Sequence, residues 1–138
     1  MFDKIHFIII LSTILFFIMF MYSGIDKIKY FNEKVNTLNT KLDSRFPINL
    51  LNFAMGCIIL LEIIGTLIIL LRIILGKNSP HILNIFSNIT FILLIIFLIL
   101  VTLIYHPFSS KKAIPFLSNC TTIAGTIFLF ILSNSNLI

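Results

Sequence analysis

One carboxylic acid in the middle of a long apolar stretch is the residue of this sequence most suited to chemistry. Glu62 lies in the run 48–75, whose only other charged residue is Arg72. At the rise of an α-helix it sits roughly 15–20 Å from either end of that run. An ionised carboxylate at such depth in hydrocarbon costs several kcal/mol, so it must face the interior, be paired, or be protonated. Two readings stand side by side: a proton or ligand site, or a structural acid hydrogen-bonded to a neighbouring helix. Arg72 is about 15 Å away along the same helix, and Lys27 and His106 fall at the ends of other apolar runs. The expected partners of Glu62 are therefore Asn84, Ser87 and Asn88, which share one face of the third run. The expected state is a neutral acid for which Gln is an adequate substitute.

A second group lies at the ends of two runs. Ser23-Gly24-Ile25-Asp26-Lys27 closes the first and His106 closes the third, which puts both on one side of a membrane. A titratable histidine beside an Asp26–Lys27 pair has the chemistry to hold an anionic or quinone head group. It is equally what an interfacial helix cap looks like. Cys57 and Cys120 each sit inside an apolar run and belong to no CxxC, so neither a redox dithiol nor a metal site is indicated. They read as small residues at helix contacts. Nucleotide-loop, nucleophile-elbow and zinc-protease motifs are all absent, so no catalytic residue is assigned, no metal ligand is named and no cofactor is identified.

These residues need a scaffold, and composition says which kind. Of 138 residues, 59% are hydrophobic and 11% charged, more apolar surface than a soluble domain of this volume can hide. The mean hydropathy of +1.12 is that of a protein whose apolar surface is covered by lipid. The formal charge of +5 rests on ten scattered Lys and Arg, too dispersed for a nucleic-acid surface and placed between apolar runs, where anionic lipid attracts them. The lipid bilayer is thus the first partner; a membrane-protein partner or a second copy of the chain is the next.

Four runs have the length and apolarity to span: 5–22, 48–75, 81–105 and 113–132. The first is long for a signal peptide and no A-x-A site follows it, so it is read as a retained span. Between the first two, Ile25, Ile28, Phe31, Val35, Leu38 and Leu42 recur at steps of three or four with lysines between them. That is an amphipathic helix over 25–42, either lying in the interface or packed over the helix ends. Gly76 to Pro80 reads as a stop and turn. Ser118, Thr122 and Gly125 form a small-residue contact face on the last span. The fold class is therefore all-α: one integral membrane domain, 1–138, a four-helix bundle with an amphipathic interfacial helix after the first span.

Orientation follows from the cations. Lys27, Lys29, Lys34, Lys41, Arg45, Lys111 and Lys112 belong to the first and third loops; Lys4, Arg72 and Lys77 belong to the other side. The positive-inside rule puts the first and third loops in the cytoplasm of this multi-pass protein.

At four places the chain resembles the DoxX family of small four-helix membrane proteins. Phe20-Met21-Tyr22-Ser23-Gly24-Ile25-Asp26-Lys27-Ile28 is similar to that family's FxxSGxxKL segment, and Leu61-Glu62-Ile63-Ile64-Gly65 to its LExxG. Tyr105-His106-Pro107-Phe108 resembles its FH element, and Phe116-Leu117-Ser118-Asn119 with Gly125 its FxKNxxxxGG. The order is right and most of the chain is covered. Ser118 departs from the basic residue of many relatives, one glycine of the last motif is missing, and so are the acidic residues after the histidine. The resemblance implies a non-catalytic membrane subunit that binds a lipid-soluble ligand or a protein partner. Two alternatives come with it: a subunit of a quinone-linked oxidoreductase, with quinone as cofactor, or a cargo receptor of the secretory pathway.

Overall fold

The computed structural model describes residues 4–106 and 113–135. The chain runs α1 (Lys4–Lys29), α2 (Phe31–Lys41), α3 (Ile48–Leu60), a five-residue π turn (Leu61–Gly65), α4 (Thr66–Leu75), a short 3₁₀ turn (Gly76–Asn78), α5 (His81–Tyr105) and α6 (Ala113–Asn134). No strand occurs among the described residues. Four helical stretches are long and apolar enough to cross a bilayer: His6–Lys29, Ile48–Asn78, His81–Tyr105 and Ala113–Asn134. Large apolar side chains such as Phe7, Phe53, Ile82 and Phe128 stand exposed all along these helices, the outer surface that lipid covers. The chain is a polytopic membrane helical bundle.

The core is narrow. Phe17 and Phe20 of α1 meet Ile69 and Ile73 of α4, Phe91, Leu94 and Leu98 of α5, and Leu129 of α6. Aromatic rings tie three helices together, Phe17 to Phe91 and Phe91 to Phe130, at centroid distances of 6.3 and 5.5 Å. The buried Thr13, Thr90 and Thr102 turn their hydroxyls back onto the carbonyl four residues earlier, so no polar atom of theirs is left bare in an apolar interior.

The first helix does not stop at Tyr22. It continues to Lys29 because Ile25 and Ile28 keep an apolar exposed face while Ser23 and Lys27 find partners inside. Its hydrogen-bond ladder even runs through Tyr30, from Tyr30 N–H to the Asp26 carbonyl and from Lys34 N–H to the Tyr30 carbonyl. Residues expected in the amphipathic helix thus belong partly to α1. The apolar face of α2 is covered by protein: Val35 and Leu38 are buried with Leu51 and Met55 of α3, and Ile104 and Tyr105 of α5 close over them.

Two glycines let the helices meet. A methyl group on Gly24 would come 2.6 Å from Ile63 Cγ1, and one on Gly65 would come 2.7 Å from Thr90 Cγ2. Each marks a close approach, of α1 to the π turn and of the π turn to α5. The loop segment 107–112, which holds Lys111 and Lys112, lies outside the described residues.

Candidate functional site

Glu62 sits in the π turn of the second span. A π turn breaks the i to i−4 ladder and is found disproportionately at functional sites. Thr66 Oγ1 donates to the Glu62 carbonyl at 2.7 Å and reaches the Ile63 carbonyl at 3.0 Å, satisfying backbone groups that lipid could not.

The Glu62 carboxylate meets a cation. Lys27 Nζ lies 2.8 Å from both Oε1 and Oε2, and Ser23 Oγ donates to Oε1 at 3.2 Å. The lysine ammonium also donates to Ser23 Oγ, so α1 presents Ser23 and Lys27, one helical turn apart, as a single clamp. The Glu62 side chain is 3% exposed and that of Lys27 18%. This overturns the expectation that the acid bonds to the third span: its partners lie on α1. The expectation failed because it ended α1 at Tyr22 and left Lys27 at the bilayer edge.

The stripe on α5 has other partners. Asn84 accepts from Ser79 at 2.6 Å, and Asn88 accepts from Asn134 of α6 at 3.1 Å. Ser87 is fully buried, and its hydroxyl has no hydrogen-bond partner among the described residues. None of the three hydrogen-bonds Glu62. Asp26 likewise stands apart from it. Its carboxylate pairs with Lys34 of α2 at 2.7 Å, both half-exposed, and that contact holds the Lys34 ammonium above the ordinary lysine range. Cys57 is exposed and does not serve as a helix contact; Cys120 is half-buried.

Arg72 was grouped with the loop cations, yet it is buried. It donates to the Ser133 carbonyl at 2.6 Å and the Gly76 carbonyl at 3.4 Å. These are the C-terminal ends of α6 and α4, where a cation is favoured by the helix dipole. Gly76 has φ +53° and ψ −131°, a conformation open chiefly to glycine.

Above the Lys27–Glu62 pair lies an open-sided cleft of about 1030 Å³. It opens between α3 and α5, which diverge beyond the Gly65–Thr90 contact while α4 stays packed on α5. Phe53, Ala54 and Ile58 form one wall, Phe97 and Val101 the other, and Leu42 and Phe46 the end. Ser23, Lys27 and Glu62 form its polar base; Lys34, Tyr105 and His106 stand at its far end. His106 therefore joins the same cleft as Glu62 and Lys27, though not through a direct bond to either. Such a volume is that of a small-molecule site, mostly apolar with a few placed polar groups. Among the described residues no three His, Cys, Asp or Glu side chains gather as a metal site would need.

The fold and site together define the class: a multi-pass α-helical membrane protein with a lateral cleft over a buried ion pair. The chain matches no protein-family model, no curated protein and no solved structure.

Proposed function

We propose that this chain is a DoxX-like, non-catalytic membrane subunit that holds a lipid-soluble ligand in the cleft between α3 and α5. The observation that carries the reading is the cleft itself: about 1030 Å³, apolar on its walls, with Ser23, Lys27 and Glu62 at its base. Two of the four pieces on which the resemblance rests, Ser23-Gly24 with Lys27 and Leu61-Glu62 with Gly65, build this base. The test is native mass spectrometry of the chain extracted in mild detergent. A retained lipid is expected, and Ala54→Trp, which fills the cleft, should abolish its retention. A wild-type chain carrying detergent alone would refute the reading.

A second reading, a quinone-linked oxidoreductase subunit, is favoured by one observation: Glu62, Tyr105 and His106 all border the same cleft. It predicts quinone reduction by purified protein that Glu62→Gln abolishes, and it fails if no donor supports turnover. Either way the subunit works with a membrane-protein partner or a second copy of itself, which cross-linking in native membranes would reveal. The first and third loops face the cytoplasm in this proposal. Impermeant thiol labelling of single cysteines at positions 34 and 77, in a chain lacking Cys57 and Cys120, should report opposite sides.

A further inference from the structure

The polar base of the cleft has a donor side that is full and an acceptor side that is not. An ammonium carries three N–H donors. Lys27 turns its ammonium toward Glu62 Oε1, Glu62 Oε2 and Ser23 Oγ, so its donors are directed into the protein's own ion pair. The Ser23 hydroxyl proton goes to Oε1. The Glu62 carboxylate offers about four lone-pair directions, and three are taken, two on Oε1 and one on Oε2. The vacancy is an acceptor, on Oε2.

Charge points the same way. The cleft is bordered by two lysines, and both are neutralised within the protein, Lys27 by Glu62 and Lys34 by Asp26. An anionic head group entering the base would find no uncompensated cation and would face the Glu62 carboxylate. A cationic head would meet Lys27. An uncharged head that only accepts hydrogen bonds would have to compete with Glu62 and Ser23 for the Lys27 ammonium. Tyr105 and His106 offer donors only at the far end of the cleft; at the base, the head that fits is uncharged and donates.

Resting on the cleft being a lipid-soluble ligand's site, we infer that its ligand is a neutral, hydroxyl-headed lipid whose O–H donates to the free lone pair of Glu62 while its hydrocarbon lies between α3 and α5. Entry is sideways from the bilayer, because the cleft opens between two lipid-facing helices. The Lys27–Glu62 pair is then a selectivity device: it supplies a charged acceptor while keeping the base electrically neutral, and so it excludes the phospholipids that surround the protein. Hydrogen bonds to a charged group are the stronger kind, which suits recognition of a single hydroxyl.

Three photoreactive lipids with one common alkyl chain and different heads test this: an alcohol, its methyl ether and a carboxylate. The full chain is reconstituted in phosphatidylcholine vesicles, and labelled positions are mapped by mass spectrometry. The alcohol should label cleft residues such as Phe53, Ile58 and Val101 at least about tenfold more efficiently than either of the others. Equal labelling of the cleft by all three overturns the hydroxyl assignment and leaves the lipid-binding reading standing. Labelling that is no stronger in the cleft than on the outer helix faces, whatever the head, overturns that reading itself. Glu62→Gln supplies a second measurement. It removes the counter-charge of Lys27, so the alcohol should lose its advantage and the carboxylate should gain. A Glu62→Gln chain with wild-type head selectivity would also overturn the assignment, and the comparison of the three lipids on wild-type protein depends on no variant.

Discussion

Replacing Glu62 by Gln separates a buried ion pair from a neutral buried acid better than any other single change. The shape and most of the hydrogen bonding survive, and only the charge is lost. Were Glu62 neutral, the substitution would be nearly silent. With Lys27 Nζ 2.8 Å from both carboxylate oxygens, it leaves an ammonium without its anion. Removing one partner of a buried pair typically costs about 3–5 kcal/mol. The Lys27 side chain is 18% exposed, and its long stem can turn the ammonium toward the open side of the cleft. We therefore expect about 2–3 kcal/mol for Glu62→Gln, at or just below the lower end of that range. Lys27→Met leaves a carboxylate whose side chain is 3% exposed and which has no comparable stem, so it should cost as much or more. The double variant Lys27→Met with Glu62→Gln contains no uncompensated charge, and pairs removed together are often close to neutral; about 1 kcal/mol is expected from the hydrogen bonds lost. The coupling in this cycle should thus exceed about 2 kcal/mol. The assay is reversible unfolding of the purified protein in mixed micelles, with all four proteins in the same buffer. Glu62→Gln within about 0.5 kcal/mol of wild type, or single-variant losses that simply add in the double, would refute the ion-pair argument.

Other regions give sharper local tests. Gly65→Ala should destabilise by about 1–3 kcal/mol, because the new methyl meets the stiff Thr90 side chain at 2.7 Å and must push α5 away. Unfolding in the same micelles measures it, and restoration of most of that stability by adding Thr90→Ser would identify the clash as the cause. Arg72→Met should cost about 1–3 kcal/mol by stripping the Ser133 carbonyl of its side-chain donor, while the Gly76 carbonyl keeps the Ser79 N–H, and hydrogen exchange should show the end of α6 opening first. Asp26→Asn should cost under about 1 kcal/mol, since its pair with Lys34 is half-exposed. Because Asp26 holds Lys34 above its ordinary value, that contribution is present in full below the unfolded lysine pKa and is lost as pH rises through the folded one. On the alkaline side, the wild-type and Asp26→Asn stabilities should therefore converge only in strong alkali.

Hydropathy alone placed the second and third spans. The runs 48–75 and 81–105 are bounded by residues that cannot stay in hydrocarbon or in a helix: Pro47 before one, Gly76 after it, Pro80 and His106 around the other. Helix ends of this kind are local events, and the observed α3 through α4 and α5 have those bounds. Glu62 was legible for the same reason, because a carboxylate is conspicuous against twenty apolar neighbours. Its partner was not. Where α1 ends depends on whether Lys27 has an anion to meet, and that anion is 35 residues away, on a helix whose rotation and depth no local pattern states. The Ser23–Lys27 spacing on one helical face was the available signal, and it gains meaning only once Gly24 is seen to let α1 close on the π turn. The cleft is a still less local object. It exists because Gly65 pins the second span to Thr90 of α5 while α3, beyond the π turn, leans away onto α2. Which polar group is buried follows from a side chain's cost in lipid, whereas which group answers it is set by the packing of helices against each other.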